Sequence, residues 1–242
     1  EYIEKAIAWL KLHGNEKIGI AGASTTGTLA LTAASIFSDI SLTIAMTPSD
    51  FVWQGFMLGK KDGCKEWPIE GESLFSYKGK PLPYMPFCYQ HPDYWRIISE
   101  ESKRTGNMIA SRKLFDDSEA AHPITEEEFI KIENIRSKLF LVGAEDDALW
   151  DTVKYIRCME KRLAEQPHTS KLRRLYMSTA RILFSPMVCS RPCFPSAQHC
   201  LSSWRSVLRR NIPRSAKRHV WAAASSLYFF RDFSCISSYT SK

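Results

Sequence analysis

Apolar positions in the first fifty residues change their spacing from one stretch to the next. Within residues 2–12, Ile3, Ala6, Ile7 and Leu10 fall three or four apart, and Gly14 follows, which predicts one amphipathic helix and its stop. Ile18-Gly19-Ile20-Ala21 is an unbroken apolar run of the length of a buried strand. After the turn Gly22-Ala23-Ser24-Thr25-Thr26-Gly27, an Ala/Leu-rich segment runs on to Phe37 and predicts a buried helix. Ile40 to Met46 is β-branched, closes at Thr47-Pro48, and predicts a second strand. Two strands bracketing a buried helix make a βαβ unit, so the expected class is α/β with a parallel sheet.

Residues 49–124 interrupt this alternation. They carry Phe51, Trp53, Phe56, Trp67, Phe75, Tyr77, Tyr84, Phe87, Tyr89, Tyr94 and Trp95, with Pro81, Pro83 and Pro86 between them. Tyr77 to Lys80 predicts a small turn, and Pro92 to about Asp117 is mostly helical. Such an insertion is either a lid or acyl-binding pocket at the C-terminal ends of the strands, or a packed satellite subdomain. From Ile124 the pattern resumes, with a capped helix start carrying acids in its first turn. A third buried strand follows at Lys138 to Val142, and then a helix over 151–165 with Val153, Ile156, Met159 and Leu163 on one face.

Strand, tight turn with Ser24 at its apex, buried helix: that is the context of a nucleophile elbow. A serine at a strained corner needs small neighbours, and Gly22 supplies the room. The match to G-x-S-x-G is imperfect, because Thr26 stands at the second glycine position and Gly27 follows one place late. Ser24 acting only as a helix N-cap is the competing reading. Downstream, the strand ending at Val142 leads into Gly143-Ala144-Glu145-Asp146-Asp147, which suits the acid of a Ser…Asp…His triad. That acid orients the imidazole and stabilises the imidazolium formed when the serine loses its proton. Asp146 is the choice, Asp147 the open alternative, and either could instead cap the following helix.

Composition divides the chain. Its 242 residues can bury one substantial core, and no apolar run is long enough for a membrane span. The seven cysteines show neither C-x-x-C pairs nor zinc-suited spacing with His, so free thiols in a reducing cytoplasm are expected. Residues 1–168 hold 20 Lys+Arg against 25 Asp+Glu, while 169–242 hold 13 against the single acid Asp232. Arg205, Arg209, Arg210, Arg214, Lys217 and Arg218 near Trp204 and Trp221 could hold phosphate or nucleic acid, but no nucleic-acid motif accompanies them.

GASTTG after a strand, AMTPSDFV, the aromatic insertion and LVGAEDDALWD together resemble the C-terminal hydrolase domain shared by acyl-CoA thioesterases and bile acid-CoA:amino acid N-acyltransferases. The broader dienelactone-hydrolase-like group shares these features. The resemblance covers about residues 1–168. It implies an α/β-hydrolase fold, Ser24 as nucleophile, Asp146 as acid, a small-molecule acyl thioester or ester as substrate, and no cofactor. The N-acyltransferase branch uses a cysteine nucleophile, so Ser24 favours hydrolysis. The family carries strands upstream of the elbow that contribute one oxyanion donor, whereas this sequence starts one helix before it. That leaves the Thr25 backbone N–H, and losing one such donor typically costs about 100- to 1,000-fold in turnover.

The triad also needs a histidine after one more strand. His168 ends a helix, while His199 and His219 lie in the basic stretch without a suitable context. Residues 169–242 lack Glu, are rich in Ser, Arg and Cys, and show no periodicity, as out-of-frame translation does. Codons compatible with KLRRLYMSTARIL, from Lys171 to Leu183, read VETLIYEHGTHF when started from the third base of the Lys codon. That is an alternating strand followed by Gly-Thr-His. The expectation is a hydrolase domain whose frame slips near Ser170–Lys171, with a non-homologous or disordered basic tail and impaired activity.

Overall fold

The computed structural model describes residues 2–58, 66–178 and 228–231, the last four and 57, 58 and 66 by backbone alone. His199, His219 and the basic residues from Arg205 to Arg218 lie outside the described residues. The amphipathic N-terminal segment is helix α1 (Tyr2–Leu12), and the apolar run after it is strand β1 (Ile18–Ala23). Helix α2 (Thr25–Ile36) buries Gly27, Thr28, Ala30, Leu31, Thr32, Ala33 and Ala34, as an element without a polar face must. Strand β2 (Ile40–Met46) pairs parallel to β1, so the expected βαβ unit is present.

The insertion contributes a hairpin of β3 (Gln54–Leu58) and β4 (Glu66–Ser73) and a smaller one of β5 (Ser76–Tyr77) and β6 (Lys80–Pro81) around the expected turn. Helices α3 (Asp93–Thr105) and α4 (Arg112–Ala121) follow. Its aromatic residues form a core of their own. Trp53 packs on Phe115 and Trp150, Phe87 on Phe115, and Phe51 on Tyr155, with ring centroids 5.1 to 5.5 Å apart.

The helix expected from Ile124 does not form. Glu128 accepts from the Thr125 N–H at 2.8 Å, as a capping box would. Phe129 then bridges to Phe51, and the Ile130 N–H donates to the Asp50 carbonyl. Extended pairing claims the backbone after one turn, and only a 3-10 turn at Ile132–Asn134 follows. The buried β-branched residues Ile130, Ile132 and Ile135 favour that outcome.

Strand β7 (Lys138–Ala144), helix α5 (Thr152–Glu165) and strand β8 (Lys171–Met177) complete the α/β alternation. Strand β8 lies beyond the charge break, carries Lys171, Arg173 and Arg174, and occupies the sheet edge. The order is β8-β7-β2-β1-β9, with β9 (Tyr228–Arg231) antiparallel on the outer side of β1 and the other four strands parallel. The main core under this sheet joins Ile18, Ile20, Leu31, Leu139, Leu141 and Ile156, all 0–1% exposed. Among the described residues no helix is long and apolar enough to cross a membrane.

Candidate active site

Register brings the candidate residues to one edge. Ala23 lies opposite Met46, Met46 opposite Val142, and Ala144 opposite Met177. Ser24, Thr47 and the 145–151 loop therefore leave the sheet on the same side, with β1 and β7 two strand spacings, about 10 Å, apart.

Ser24 has φ 58° and ψ −131°, a region that non-glycine residues occupy at a cost of about 1–3 kcal/mol. Its side chain makes no capping hydrogen bond, so the N-cap reading of Ser24 is not what the side chain does. The backbone around it is pinned. Its N–H donates to the Met46 carbonyl at 2.8 Å, and its carbonyl accepts from Gly27 at 2.8 Å and Thr28 at 3.1 Å. The glycines show why the corner needs small residues. A Cβ on Gly22 would stand 2.0 Å from the Thr26 carbonyl oxygen, and one on Gly27 would stand 2.8 Å from that of Met46. The Thr25 N–H is the first of α2 and has no acceptor within the helix. Thr25 also lines a cavity of about 280 Å³ shared with Gly55, Phe56, Ile69, Glu72 and Ser73 of the β3–β4 hairpin and with Leu74 just after it.

The two acids after β7 separate clearly. Asp146 is exposed. Asp147 is 7% exposed, and its carboxylate accepts from the Leu149 N–H at 3.0 Å. Burial pushes its pKa up to about 6, against the pull of the Leu149 and Trp150 N–H groups and the Thr152 hydroxyl. Capping of α5 falls to Asp151, whose side chain accepts from Lys154 N–H at 2.9 Å. The loop is tied down on both sides. The Trp150 indole N–H donates to the Thr47 carbonyl at 3.2 Å, and Ser111 and Arg112 N–H groups donate to that of Ala148.

His168 is far from this edge. It precedes β8, and it lines a groove with Ser35, Ile36 and Ser38 at the end of α2 opposite Ser24. One length of that helix, about 18 Å, separates them. Of the other described histidines, His13 precedes β1 and stacks on Trp9, His91 meets the Trp67 ring at a tilt, and His122 bonds Glu128 at 2.7 Å.

Asp50 is not singled out by the sequence pattern, although it sits in the AMTPSDFV stretch. It is 5% exposed, and its Oδ1 has no hydrogen-bond partner among the described residues. Burial pushes its pKa up to about 7. Its own backbone N–H, Lys154 and the Cys158 thiol pull the other way, and Glu119 adds to the rise. A lone acid after a strand gives no signal that it faces inward.

A family model described as BAAT / Acyl-CoA thioester hydrolase C terminal matches residues 1–212, past the charge break at Thr169. No curated protein matches the chain. Among solved structures it is similar to an esterase of Pyrococcus furiosus, with 14% identity and a TM-score of 0.36. That alignment covers 86% of this chain, which spans 60% of the length of the esterase.

Proposed function

Because the chain belongs to the BAAT / acyl-CoA thioester hydrolase C-terminal family, we propose that it is built for hydrolysis of an acyl thioester or ester through Ser24. The observation that carries the reading is the backbone of Ser24, held at φ 58° at the apex of the β1–α2 turn with its side chain uncommitted to a cap. In this reading Ser24 Oγ gives its proton to a base and attacks the acyl carbonyl, and the Thr25 N–H donates to the oxyanion that forms. The C–S or C–O bond breaks to release a thiol or alcohol that takes up the proton, and water then cleaves the acyl-enzyme to the acid. Asp146 is the acid. It stands on the loop after β7, which leaves the sheet on the same side as Ser24. The cavity that Thr25 shares with Phe56, Ile69 and Leu74, and with the polar Glu72 and Ser73, supports a substrate bound next to the oxyanion position.

Among the described residues no histidine stands at the Ser24 edge to act as the base in that reading. The position of His168 supports none of the required proton transfer. A frame slip near Ser170–Lys171 accounts for the gap, with the histidine of the GTH reading as the lost base. Removal of a triad histidine costs on the order of a million-fold in turnover. The chain is expected to hydrolyse a short acyl-CoA or a nitrophenyl ester only weakly, and Ser24→Ala should abolish what remains. A rate unchanged by Ser24→Ala would remove the nucleophile from the reading. Brisk hydrolysis lost on that substitution would show that a base is present after all. Sequencing the coding DNA around codon 171, and restoring the VETLIYEHGTHF frame, tests the slip itself.

A further inference from the structure

Thr26 occupies the place where a nucleophile elbow ordinarily has glycine, and its side chain is engaged rather than merely tolerated. Thr26 Oγ1 accepts from the Ala23 N–H at 3.0 Å and donates to the Ala23 carbonyl at 2.8 Å. One hydroxyl thus closes both backbone groups of the residue immediately before Ser24. That residue is the last of β1, and its carbonyl belongs to the peptide whose rotation sets φ of Ser24. Next to it, Gly22 has no room for a Cβ because the Thr26 carbonyl lies over it. The backbone of Thr26 and its side chain therefore hold the β1 end from two directions.

We propose that Thr26 is a positioning residue: its hydroxyl clamps Ala23 so that Ser24 stays in its strained, outward-facing conformation. This rests on the reading of Ser24 as the nucleophile. Two opposing effects of similar size meet at this corner. Holding a serine at positive φ is unfavourable, and a relaxed turn would let Ser24 fall back toward an ordinary N-cap geometry. Relaxation would break both Ala23 hydrogen bonds at once and leave a half-buried N–H and C=O unpaired, which opposes it. A glycine at this place leaves space. Threonine instead uses the space for a bridge, and its β-branch restricts the rotamers available to the hydroxyl. The late Gly27 then serves a different contact, the approach of α2 to the Met46 carbonyl.

The test uses the full chain and two readouts. The first is amide hydrogen exchange at Ala23, which reports the clamp whether or not Ser24 reacts. Thr26→Ser should keep Ala23 protected, while Thr26→Val and Thr26→Ala should speed its exchange about tenfold, leaving Ile20 and Ala21 unchanged. The second is the rate of covalent labelling by a fluorophosphonate, with Ser24→Ala as the blank. It should fall about tenfold in Thr26→Val and Thr26→Ala and stay within about threefold of the parent in Thr26→Ser. Unchanged Ala23 exchange in folded Thr26→Val overturns the clamp. Faster exchange with undiminished labelling overturns the positioning role. If the parent labels no faster than Ser24→Ala, Ser24 has no reactivity for the clamp to support and the positioning role fails in this chain, while the exchange arm still decides the clamp. Circular dichroism spectra and melting curves of each variant separate these outcomes from failure to fold.

Discussion

Replacing Asp50 by asparagine keeps the shape of a buried carboxyl group and removes its ability to ionise. Asp50 is 5% exposed, and burial lifts its pKa from 3.8 to about 7. A raised folded-state value means that the native state holds a proton which the unfolded chain gives up. The associated stability is complete below pH 3.8 and is lost as pH rises through 7. Each pH unit between the unfolded and folded values is worth about 1.36 kcal/mol, so the whole range amounts to about 4 kcal/mol. Of this, close to 3 kcal/mol falls between pH 5 and pH 9. Urea unfolding of the parent and Asp50→Asn at those two pH values measures it. The advantage of Asp50→Asn over the parent should grow by about 2–3 kcal/mol from pH 5 to pH 9. Asp147 titrates in both proteins, so its contribution cancels in the difference. An advantage that is flat or shrinks with pH would refute a buried, protonated Asp50.

Gly22→Ala should destabilise the chain by about 3 kcal/mol or more, because the new Cβ meets backbone rather than a flexible side chain; thermal unfolding reads it. Asp146→Asn, at an exposed position, should leave stability within about 0.5 kcal/mol in urea unfolding, and in the frame-restored chain it should lower Ser24-dependent turnover. Asp147→Ala should cost on the order of 2 kcal/mol in urea unfolding, because it strips the Leu149 N–H of its acceptor. Equal stability losses at the two positions would contradict the division of roles between them.

The strands and helices of the α/β alternation were legible because each is long and its apolar spacing is consistent. The helix over 2–12 and the strand over 40–46 match their elements end to end. The segment from Ile124 misled because its first four residues carry a genuine cap, while the pairing of Phe129 and Ile130 with the 50–52 stretch is a long-range event no local pattern encodes. The elbow at Ser24 was legible as a place, and its dihedrals were not. The Thr26 clamp depends on a hydroxyl reaching back three residues, which the letters permit without requiring. The division between Asp146 and Asp147 depends on which neighbour turns inward, and two adjacent acids carry no such mark. Strand β8 was obscured by its charges: Lys171, Arg173 and Arg174 are uncommon in parallel strands, which are usually apolar throughout, and an edge position accommodates them.

The contact between Trp53 and Trp150 makes the molecule optically self-reporting. Their ring centroids are 5.1 Å apart with planes inclined at 50°, one ring belonging to the insertion and the other to the loop that carries both acids. Near-ultraviolet circular dichroism arises from aromatic rings fixed in an asymmetric packing and vanishes when that packing loosens. This pair should therefore give a signal that follows docking of the acid loop against the insertion. Docking of that loop can in this way be followed without any substrate.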